Sequence, residues 1–294
     1  MSGGLFYKMI TLKGNPTFDM MTTNSGKIKI TNWNKPKIVM TGTFIVLVFL
    51  TIYGFLTFNY NNIHLLEAIA ATIDNLKIVF LQPSLNNFSL PEALYQITLT
   101  IGLAFLATIA GAVISLFIGL FAAKNLAPKP IANAIIVIMA FIRSVPTVLW
   151  VLIFAIAAGL GSEAAVLGML LHTVAFLVKA FAESFEDLDL GIIEALRASG
   201  ANWWQVITNA VLPSSATSLL SWTFLRFETN FTVAVAMGAA AGAGGIGFEL
   251  FMASSFYFDL REVGFITYAI LLVAVLLELS STQIKKRYLM KESV

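Results

Sequence analysis

Residues 95–123 read YQITLTIGLAFLATIAGAVISLFIGLFAA, and none of these 29 residues is Asp, Glu, Lys or Arg. A helix of about 20 apolar residues is long enough to cross the hydrocarbon core of a bilayer. The run exceeds that minimum, which leaves room for a tilted helix. We therefore predict that this stretch crosses a membrane as an α-helix.

The composition of the whole chain agrees with a lipid-facing protein. Of its 294 residues, 58% are hydrophobic and 12% are charged, and the mean hydropathy is +0.85. A soluble domain carries about 25% charged residues, and a disordered chain has low hydrophobicity and high net charge, so both classes are excluded. The net charge of +2 argues against a nucleic-acid partner.

Several kinds of reactive or metal-binding site are also excluded by the residue counts. The chain has no Cys and two His, His64 and His172, which lie 108 residues apart. Disulfides, thiol nucleophiles, thiolate metal sites and a local HExxH zinc site are therefore ruled out. We predict no catalytic residue, no metal and no cofactor.

Five further stretches are apolar over a comparable length, with at most two ionisable residues in each. They are 38–58, 131–162, 164–182, 212–248 and 263–284. Together with 95–123 they predict an all-α, polytopic membrane protein with about six transmembrane helices. The alternative is that one broken span is re-entrant, which would reverse the direction of everything after it.

Lys and Arg are distributed unequally between the two sides of this arrangement. They are frequent in both terminal tails and in the connection with Lys124 and Lys129, whereas the opposite side has Lys77 and Arg261. Because basic loops stay in the cytoplasm, both termini are predicted to be cytoplasmic, in a multi-pass protein of the cell (inner) membrane. Residues 38–58 lack a small-residue cleavage pattern, and we expect them to stay as an anchor.

The segment 183–211 is the only sizeable cytoplasmic loop between the predicted spans. Its apolar residues recur at helical spacing, which predicts two short helices separated by a bend at residues 199–202. The segment has five acidic residues, whereas a helix that lies on a membrane surface is rich in Lys and Arg. A partner protein is therefore the preferred interpretation.

Residues 194–213 of this segment read EALRASGANWWQVITNAVLP. They resemble the cytoplasmic loop signature of binding-protein-dependent ABC importer permeases, which is Glu-Ala-Ala, three residues, Gly, nine residues, Ile, one residue and Leu-Pro. The matching positions are Glu194, Ala195, Gly200, Leu212 and Pro213. Leu196 replaces the third small residue, and Ala210 replaces the Ile.

This resemblance implies that the first short helix is a coupling helix, which docks in a groove of an ATPase subunit. Gly200 would permit the tight turn, and Pro213 would lie in the first turn of the next helix. An ordinary helix–turn–helix between two spans is the alternative. The residues assigned to ATPase coupling are Glu194, Ala195, Leu196, Gly200, Leu212 and Pro213.

Two other stretches resemble the phosphonate-type subgroup of these permeases. One is Arg226-Phe227-Glu228, which is followed by the run GAGGIG at residues 242–247. The other is Arg143-Ser144-Val145-Pro146, which is similar to the Arg-Ser-x-Pro of the third span. Together the resemblance covers roughly residues 95–285 and implies the type I ABC importer permease fold.

The glycines of this run, Gly242, Gly244, Gly245 and Gly247, are open to more than one interpretation. Three of them satisfy GxGxxG, but a dinucleotide-binding turn follows a strand in a soluble βαβ unit, and this run ends a lipid-spanning stretch. We expect them instead to let backbones pack closely. The alternative is that they break the helix near the outer mouth and form a gate, since irregular backbone at that depth is tolerated only where it is buried or lines a cavity.

Charged residues inside spans mark transport pathways by default, because they are costly in lipid. Arg143 and Arg226 lie at comparable depths, which predicts a route for a dianionic oxyanion whose oxygens match the guanidinium fork. The alternative is that Glu228 neutralises one arginine in a buried ion pair. Pro146 should kink the third span, as a gate or as a static bend. His172 should make an interhelical hydrogen bond, with a role in a proton relay as the alternative. The candidate substrate path is Arg143, Pro146, Arg226 and Glu228.

The chain also lacks a Walker A motif, because its closest fragment, Ser25-Gly26-Lys27, has neither the upstream Gly nor the following Ser or Thr. The resemblance then implies a separate ABC ATPase dimer, an extracytoplasmic substrate-binding protein and a homodimeric permease in the lipid bilayer. The cargo would be phosphonate, phosphite or phosphate. An ion-gradient-driven secondary transporter of a small anion is the alternative, although such folds repeat their broken helices and no second copy is evident.

On this interpretation the chain has four parts. Residues 1–37 are a cytoplasmic N-terminal tail, and residues 38–94 are the first span plus an extracytoplasmic loop. Residues 95–285 are the permease core, and residues 286–294 are a cytoplasmic C-terminal tail.

Overall fold

The computed structural model describes residues 35–57 and 64–289, and for residues 35, 65 and 284–289 it describes the backbone alone. The chain divides into two units, Met1–Leu65 and Leu66–Val294. Most of the predicted N-terminal tail and the end of the predicted C-terminal tail lie outside the described residues. The boundaries of the four predicted parts therefore stay predictions.

The described part of the first unit is one helix, α1 (Lys35–Thr57), which coincides with the predicted span 38–58. Inside α1, the hydroxyl groups of Thr43, Thr51 and Thr57 each donate a hydrogen bond to the backbone carbonyl four residues earlier, at 2.8–2.9 Å. A span must satisfy its polar groups internally because lipid offers no water. These three threonines are therefore compatible with a membrane helix.

From residue 64 to residue 289 the chain forms ten α-helices and one π-helical turn, and no strand. In chain order these elements are α2 (Leu65–Leu81), α3 (Leu90–Ala122), α4 (Lys129–Ser144), α5 (Thr147–Ala158), α6 (Ser162–Glu186), α7 (Leu190–Ala198), α8 (Trp203–Val206), the π-helical turn (Ile207–Val211), α9 (Leu212–Ala241), α10 (Ile246–Ser255) and α11 (Leu260–Leu289). The predicted all-α fold is confirmed for this part of the chain.

Four helices are long and apolar enough to cross a membrane, namely α1, α3, α6 and α11. Two bent pairs also qualify if each counts as one span. They are α4 with α5, bent by 87°, and Trp203–Ala241 with α10, bent by 49°. The described residues therefore contain four to six candidate spans, as expected for a polytopic membrane protein, and the two breaks lie at Pro146 and at the glycine-rich run.

The central helix of the second unit is α6, which packs against α3, α4, α5 and α9. Small residues allow these close approaches. A Cβ at Gly168 of α6 would lie 2.7 Å from the Cα of Val151 on α5, and a Cβ at Gly111 of α3 would overlap Thr173 of α6. Small residues suit helix contacts in membranes because they let the backbones approach. The candidate site lies where α3, α6 and α9 meet.

One helix, α2, occupies a region that the sequence analysis treated as a loop. Charged side chains interrupt its 17 residues, so it does not form an uncharged stretch. Tyr268 on α11 donates its hydroxyl hydrogen to the carbonyl of Phe80 in α2, at 2.8 Å. This contact fixes α2 against α11, so the segment before α3 is an ordered part of the second unit.

A buried carboxylate ties the segment after α2 to the start of α11. Glu262 is fully buried, and it accepts hydrogen bonds from Asn86 N at 3.2 Å, Asn87 N at 2.8 Å and Asn87 Nδ2 at 2.5 Å. Asp259 accepts from Asn86 Nδ2 at 2.6 Å and from the N–H of Arg261 at 3.0 Å. These hydrogen bonds, with that of Asn86 as the largest effect, hold the pKa of Asp259 below its usual value.

We expect Glu262→Ala to destabilise the second unit by about 2 kcal/mol, because it removes the acceptor of three part-buried hydrogen bonds that tie Asn86 and Asn87 to α11. Glu262→Gln keeps the side-chain volume and one acceptor oxygen, so its effect should be smaller. Thermal unfolding of the purified protein in detergent measures both variants. If Glu262→Ala unfolded at the temperature of Glu262→Gln, the carboxylate would not be the anchor.

Candidate functional site

Arg226 lies on α9 with 5% of its surface exposed. Its Nε donates a hydrogen bond to Thr173 Oγ1 at 3.1 Å, and its Cζ lies 5.4 Å from the centroid of the Phe176 ring. Both contacts are with α6. Its Nη2 is buried and has no hydrogen-bond partner among the described residues. A buried cation with an unused donor is a candidate for binding an anion.

Three neutral side chains form a hydrogen-bonded group beside Arg226, which we call the polar triad: Thr108 on α3, Thr173 on α6 and Asn230 on α9. All three are buried. Asn230 Nδ2 donates to Thr108 Oγ1 at 2.8 Å and to Thr173 Oγ1 at 2.9 Å. Thr173 Oγ1 in turn donates to the carbonyl of Met169 at 2.6 Å. The polar triad therefore joins three helices at the position where the Arg226 guanidinium binds.

The sequence analysis did not single out the polar triad. One signal was available, since Asn230 lies one helical turn after Arg226, and polar residues in spans commonly hydrogen-bond across helices. Its partners could not be found in this way. Thr108 and Thr173 lie 122 and 57 residues from Asn230 along the chain, so only the packing of the helices reveals them.

Arg143 and His172 complete the set of polar groups near Arg226. Arg143 lies in the last turn of α4, where a positive charge interacts favourably with the helix dipole. His172 lies within electrostatic range of both Arg226 and Arg143. Arg143 Nε and His172 Nδ1 are buried without a partner in the described part of the chain, so the expected interhelical hydrogen bond of His172 is not made at Nδ1. Two arginines distant in sequence therefore both act electrostatically on one imidazole.

Glu228 is half-buried on α9 and pairs with neither arginine. The ion pairs of the described residues join near neighbours on one helix, namely Asp74 with Lys77 and Lys179 with Glu183. Residues i and i+2 of a helix point to different faces, so Glu228 does not lie on the face of α9 that carries Arg226. The ion-pair alternative is therefore wrong for this structure, and a role for Glu228 in the substrate path stays a prediction.

Pro146 lies in the 87° bend between α4 and α5, so the predicted kink is confirmed. Trp150 donates its Nε1 hydrogen to the carbonyl of Ile142 at 3.0 Å. A helix end leaves its last carbonyls without intrahelical partners, and this indole satisfies one of them across the bend. Because the bend ends α4 directly after Arg143, it decides where that guanidinium lies. A gating role for Pro146 stays a prediction.

The glycine-rich run forms the turn between α9 and α10. Gly242, Gly244 and Gly245 have φ angles of +61°, +73° and +77°, which glycine adopts without the steric cost of a Cβ. A Cβ at Gly247 would overlap the carbonyl of Val235 on α9. The predicted break of the helix and the predicted close packing of backbones are therefore both present.

Two side chains of α3 hold this turn. Gln96 Oε1 accepts a hydrogen bond from the N–H of Gly245 at 3.0 Å, and Thr100 Oγ1 accepts one from the N–H of Ile246 at 2.9 Å. The first N–H groups of α10 therefore bind side chains, and the segment before the turn is a helix, not a strand. Both features contradict a dinucleotide-binding turn, while a gating role stays a prediction.

The predicted coupling loop contains two short helices, α7 and α8, on either side of a bend at residues 199–202, as the sequence predicts. Asp189 caps α7 by accepting a hydrogen bond from the N–H of Gly191 at 2.8 Å. Gly200 has a φ angle of +83°, which permits the bend. Asn202 and Gln205 form a reciprocal capping box at the start of α8.

The six residues assigned to coupling fall into two groups. In α7 and the bend, Glu194, Ala195 and Gly200 are exposed and Leu196 is half-buried. Leu212 and Pro213 instead form the first turn of α9, which carries Arg226. The first group is accessible to a partner protein, and the second group starts the helix that leads to the candidate site.

The coupling loop is anchored to α3 and to the connection between α3 and α4. Trp203 donates its Nε1 hydrogen to the carbonyl of Leu126 at 3.0 Å, and its ring stacks on Phe121 with centroids 5.5 Å apart. Ile193 of α7 is 2% exposed and packs into the hydrophobic cluster that includes residues of α3 and α6. A displacement of α7 would therefore act directly on these helices.

Residues 115–288 match the family model described as "Binding-protein-dependent transport system inner membrane component". The phosphite transport system permease protein PtxC of Stutzerimonas stutzeri is 36% identical over 190 residues, which are 64% of this chain and 68% of the relative. The phosphate-import permease protein PhnE of Mycolicibacterium smegmatis is 33% identical over 156 residues, 52% of this chain and 29% of the relative. The putative cryptic phosphonate transport system permease protein PhnE2 of Escherichia coli is 32% identical over 123 residues, 42% of this chain and 99% of the relative.

Solved ABC transporter structures share the fold. An inward-facing MetNI methionine ABC transporter aligns with a TM-score of 0.62 at 20% identity and covers 68% of this chain and 99% of its own. A bacterial ABC transporter involved in the import of the acidic polysaccharide alginate aligns with a TM-score of 0.61 at 14% identity. The alignment covers 86% of this chain and 98% of that transporter chain. At these identities the likeness shows the fold alone.

Proposed function

The chain belongs to the family of binding-protein-dependent transport system inner membrane components, and we propose that it forms the transmembrane path for a phosphorus oxyanion. A permease role and a multi-pass membrane location follow from the family and from the apolar helices. The observation that carries the choice of cargo is the buried guanidinium of Arg226, whose Nη2 is unused and which has no acidic partner among residues 36–57 and 64–283.

A charge buried in a membrane protein is costly unless a counter-charge or polar groups compensate it. The hydrogen-bond partner of Arg226 is the neutral Thr173, and neither ion pair of the described residues includes Arg226. An anion entering this region would supply the missing negative charge. Guanidinium groups match the oxygens of phosphorus oxyanions with paired N–H donors, so phosphite, phosphonate and phosphate all fit this chemistry.

The relatives support the same class of cargo, since their names specify phosphite, phosphate and phosphonate. These anions share a tetrahedral phosphorus with charged oxygens, and Arg143 and Arg226 offer charge and N–H donors to any of them. Selection among the three therefore belongs to the substrate-binding protein that delivers the anion. The permease has to accept the class and exclude uncharged solutes.

The partners follow from the same proposal. A separate ATPase dimer docks on the exposed residues of α7, and an extracytoplasmic substrate-binding protein delivers the anion to the opposite side. Two copies of this chain form the path between them, with both termini in the cytoplasm. Closure of the ATPases on ATP displaces α7, and the anchors at Trp203 and Ile193 pass this displacement to the spans, which rock between two arrangements.

Reconstituted transport tests the proposal. Proteoliposomes that contain this chain, its ATPase and its binding protein should import labelled phosphite when ATP is supplied to the ATPase side. An ATPase with an inactivated catalytic site should stop import, because this chain does not hydrolyse ATP.

The alternative, a secondary transporter, predicts a different result in the same vesicles. Uptake driven by an ion gradient with this chain alone, without ATPase and binding protein, would refute the proposal. Import of an uncharged solute at the rate of phosphite would refute the assignment of the cargo.

A further inference from the structure

The guanidinium of Arg226 has two edges that differ in their contacts. On one edge, Nε–H donates to Thr173 Oγ1 at 3.1 Å. Nη2, which borders both this edge and the Nη1–Nη2 end of the group, is buried without a partner in the described structure. A guanidinium has five N–H donors in a rigid plane, so fixing one edge also fixes the direction of the other.

We propose that the polar triad positions Arg226, so that its free Nη edge is held ready for the transported oxyanion. This inference rests on the proposed function, because it assumes that Arg226 contacts the anion. Thr108, Thr173 and Asn230 are then positioning residues, which act on transport through Arg226.

The hydroxyl of Thr173 uses all of its hydrogen-bonding positions, and a second acceptor for its hydrogen, Asn230 Oδ1, lies farther away at 3.3 Å. The nearest acceptor of its own hydrogen is the carbonyl of Met169, at 2.6 Å, and its oxygen accepts from Arg226 Nε and from Asn230 Nδ2. A hydroxyl group has one donor and two acceptor positions, so all three are in use. Asn230 is itself held by Thr108 at 2.8 Å, which connects the position of Arg226 to α3.

The polar triad holds the cation without cancelling its charge. A carboxylate in the place of Thr173 would bind the guanidinium more strongly, but it would also neutralise the charge that attracts the anion. Neutral hydroxyl and amide groups provide geometry and leave the full positive charge available. This explains why a buried arginine at the meeting point of three helices has no acidic partner in the described part of the chain.

Two substitutions of Thr173 separate this role from simple packing. Its methyl group packs against Gly111, where a Cβ would overlap it. Thr173→Val keeps the shape and the methyl group but removes the hydroxyl, whereas Thr173→Ser keeps the hydroxyl and removes the methyl group. If Thr173 positions Arg226, Thr173→Val should impair import because it removes the hydroxyl. If Thr173 only packs, Thr173→Ser should impair import because it removes the methyl group.

The measurement is ATP-driven import of labelled phosphite by the complete complex of permease, ATPase and binding protein. We expect Thr173→Val to lower the maximal rate about tenfold, the effect of losing one hydrogen bond to a charged group. The phosphite concentration for half-maximal import should stay unchanged, because the binding protein captures the anion first. Thr173→Ser should import at close to the wild-type rate but unfold at a lower temperature.

Thr108→Val provides a second reading if Thr173→Val does not assemble. It removes one acceptor of Asn230 and leaves Thr173 intact. The maximal rate of phosphite import should therefore fall by about two- to threefold. Thr173→Ser importing more slowly than Thr173→Val would overturn the positioning role, and so would wild-type import by Thr108→Val. If Arg226→Met itself imported at the wild-type rate, the proposed function of Arg226 would fail instead.

Discussion

Arg226→Ala is expected to lower the maximal rate of ATP-driven phosphite import by about a hundredfold. The guanidinium offers the anion charge-assisted hydrogen bonds, which contribute about 1.5–3 kcal/mol each. The import rate falls tenfold for roughly every 1.4 kcal/mol by which the barrier to translocation rises. Losing this interaction at the barrier therefore lowers the rate about a hundredfold. The measurement is the initial rate of import by the complete complex in proteoliposomes.

Arg226→Met is the control that separates charge from packing. Methionine retains much of the volume beside Phe176, and replacing a buried charge by an apolar side chain is often neutral or stabilising. The Met variant should therefore fold at least as well as the wild type and bind the ATPase, yet fail to import. Arg226→Lys keeps the charge but loses the planar set of N–H donors and the Nε bond to Thr173. Its import rate should therefore lie between those of the Met variant and the wild type. A well-folded Met variant with normal import would make Arg226 a packing residue.

Glu194→Lys is expected to weaken the association of the ATPase at least about tenfold, while the permease still inserts and folds. Glu194 is exposed on α7, so the substitution changes the docking surface and not the core. A like-charge contact across an interface costs several kcal/mol, which exceeds the roughly 1.4 kcal/mol of a tenfold change. The measurement is co-purification of the ATPase, together with phosphite import.

Asp187→Lys is the matched control for Glu194, because it makes the same change of charge on an exposed residue outside α7. It should leave association near the wild-type value. Equal losses in both variants would indicate a general effect of charge, and normal association in Glu194→Lys would refute the docking role of α7.

Gly200 allows a second test of the same loop. Its φ angle is +83°, and no atom lies within 4 Å of the place a Cβ would occupy. A larger residue at this position is therefore harmful only through the backbone conformation. Positive φ is strained for β-branched residues, whereas Asn tolerates it. We expect Gly200→Val to disturb coupling and Gly200→Asn to preserve it, measured as import per ATP hydrolysed. Equal import per ATP hydrolysed in the two variants would mean that the backbone conformation of the bend is not required for coupling.

Much of the fold could be predicted from the sequence because the relevant signals are local. Charge-free stretches identify spans, Pro146 removes a helical hydrogen bond at its own position, and the glycines at 242–247 permit a turn where they stand. The coupling loop was predicted for the same reason, since its two helices and its bend depend on neighbouring residues. Helix α2 was missed because its charged residues interrupt the apolar pattern.

The candidate site could be predicted only in part. Arg143 and Arg226 were visible as charges inside apolar stretches, but the partner first considered for them, Glu228, lies two positions from Arg226 and on another face of α9. The groups that hold Arg226 are neutral threonine and asparagine side chains, which attract no attention in a membrane sequence. Their importance depends on which helices are adjacent.

The sequence by itself determined that this protein lies in a membrane, where its spans break, and which loop forms two short helices around a bend. These properties depend on residues close together in the chain, whose hydrophobicity and backbone preferences act over one or two helical turns. Only the tertiary structure decided that Thr108, Thr173, Arg226 and Asn230 meet, and that Arg226 Nη2 is buried without a hydrogen-bond partner among the described residues. Bonds between residues 53 to 122 positions apart form only when α3, α6 and α9 pack together, because helix packing and not chain order sets their distance.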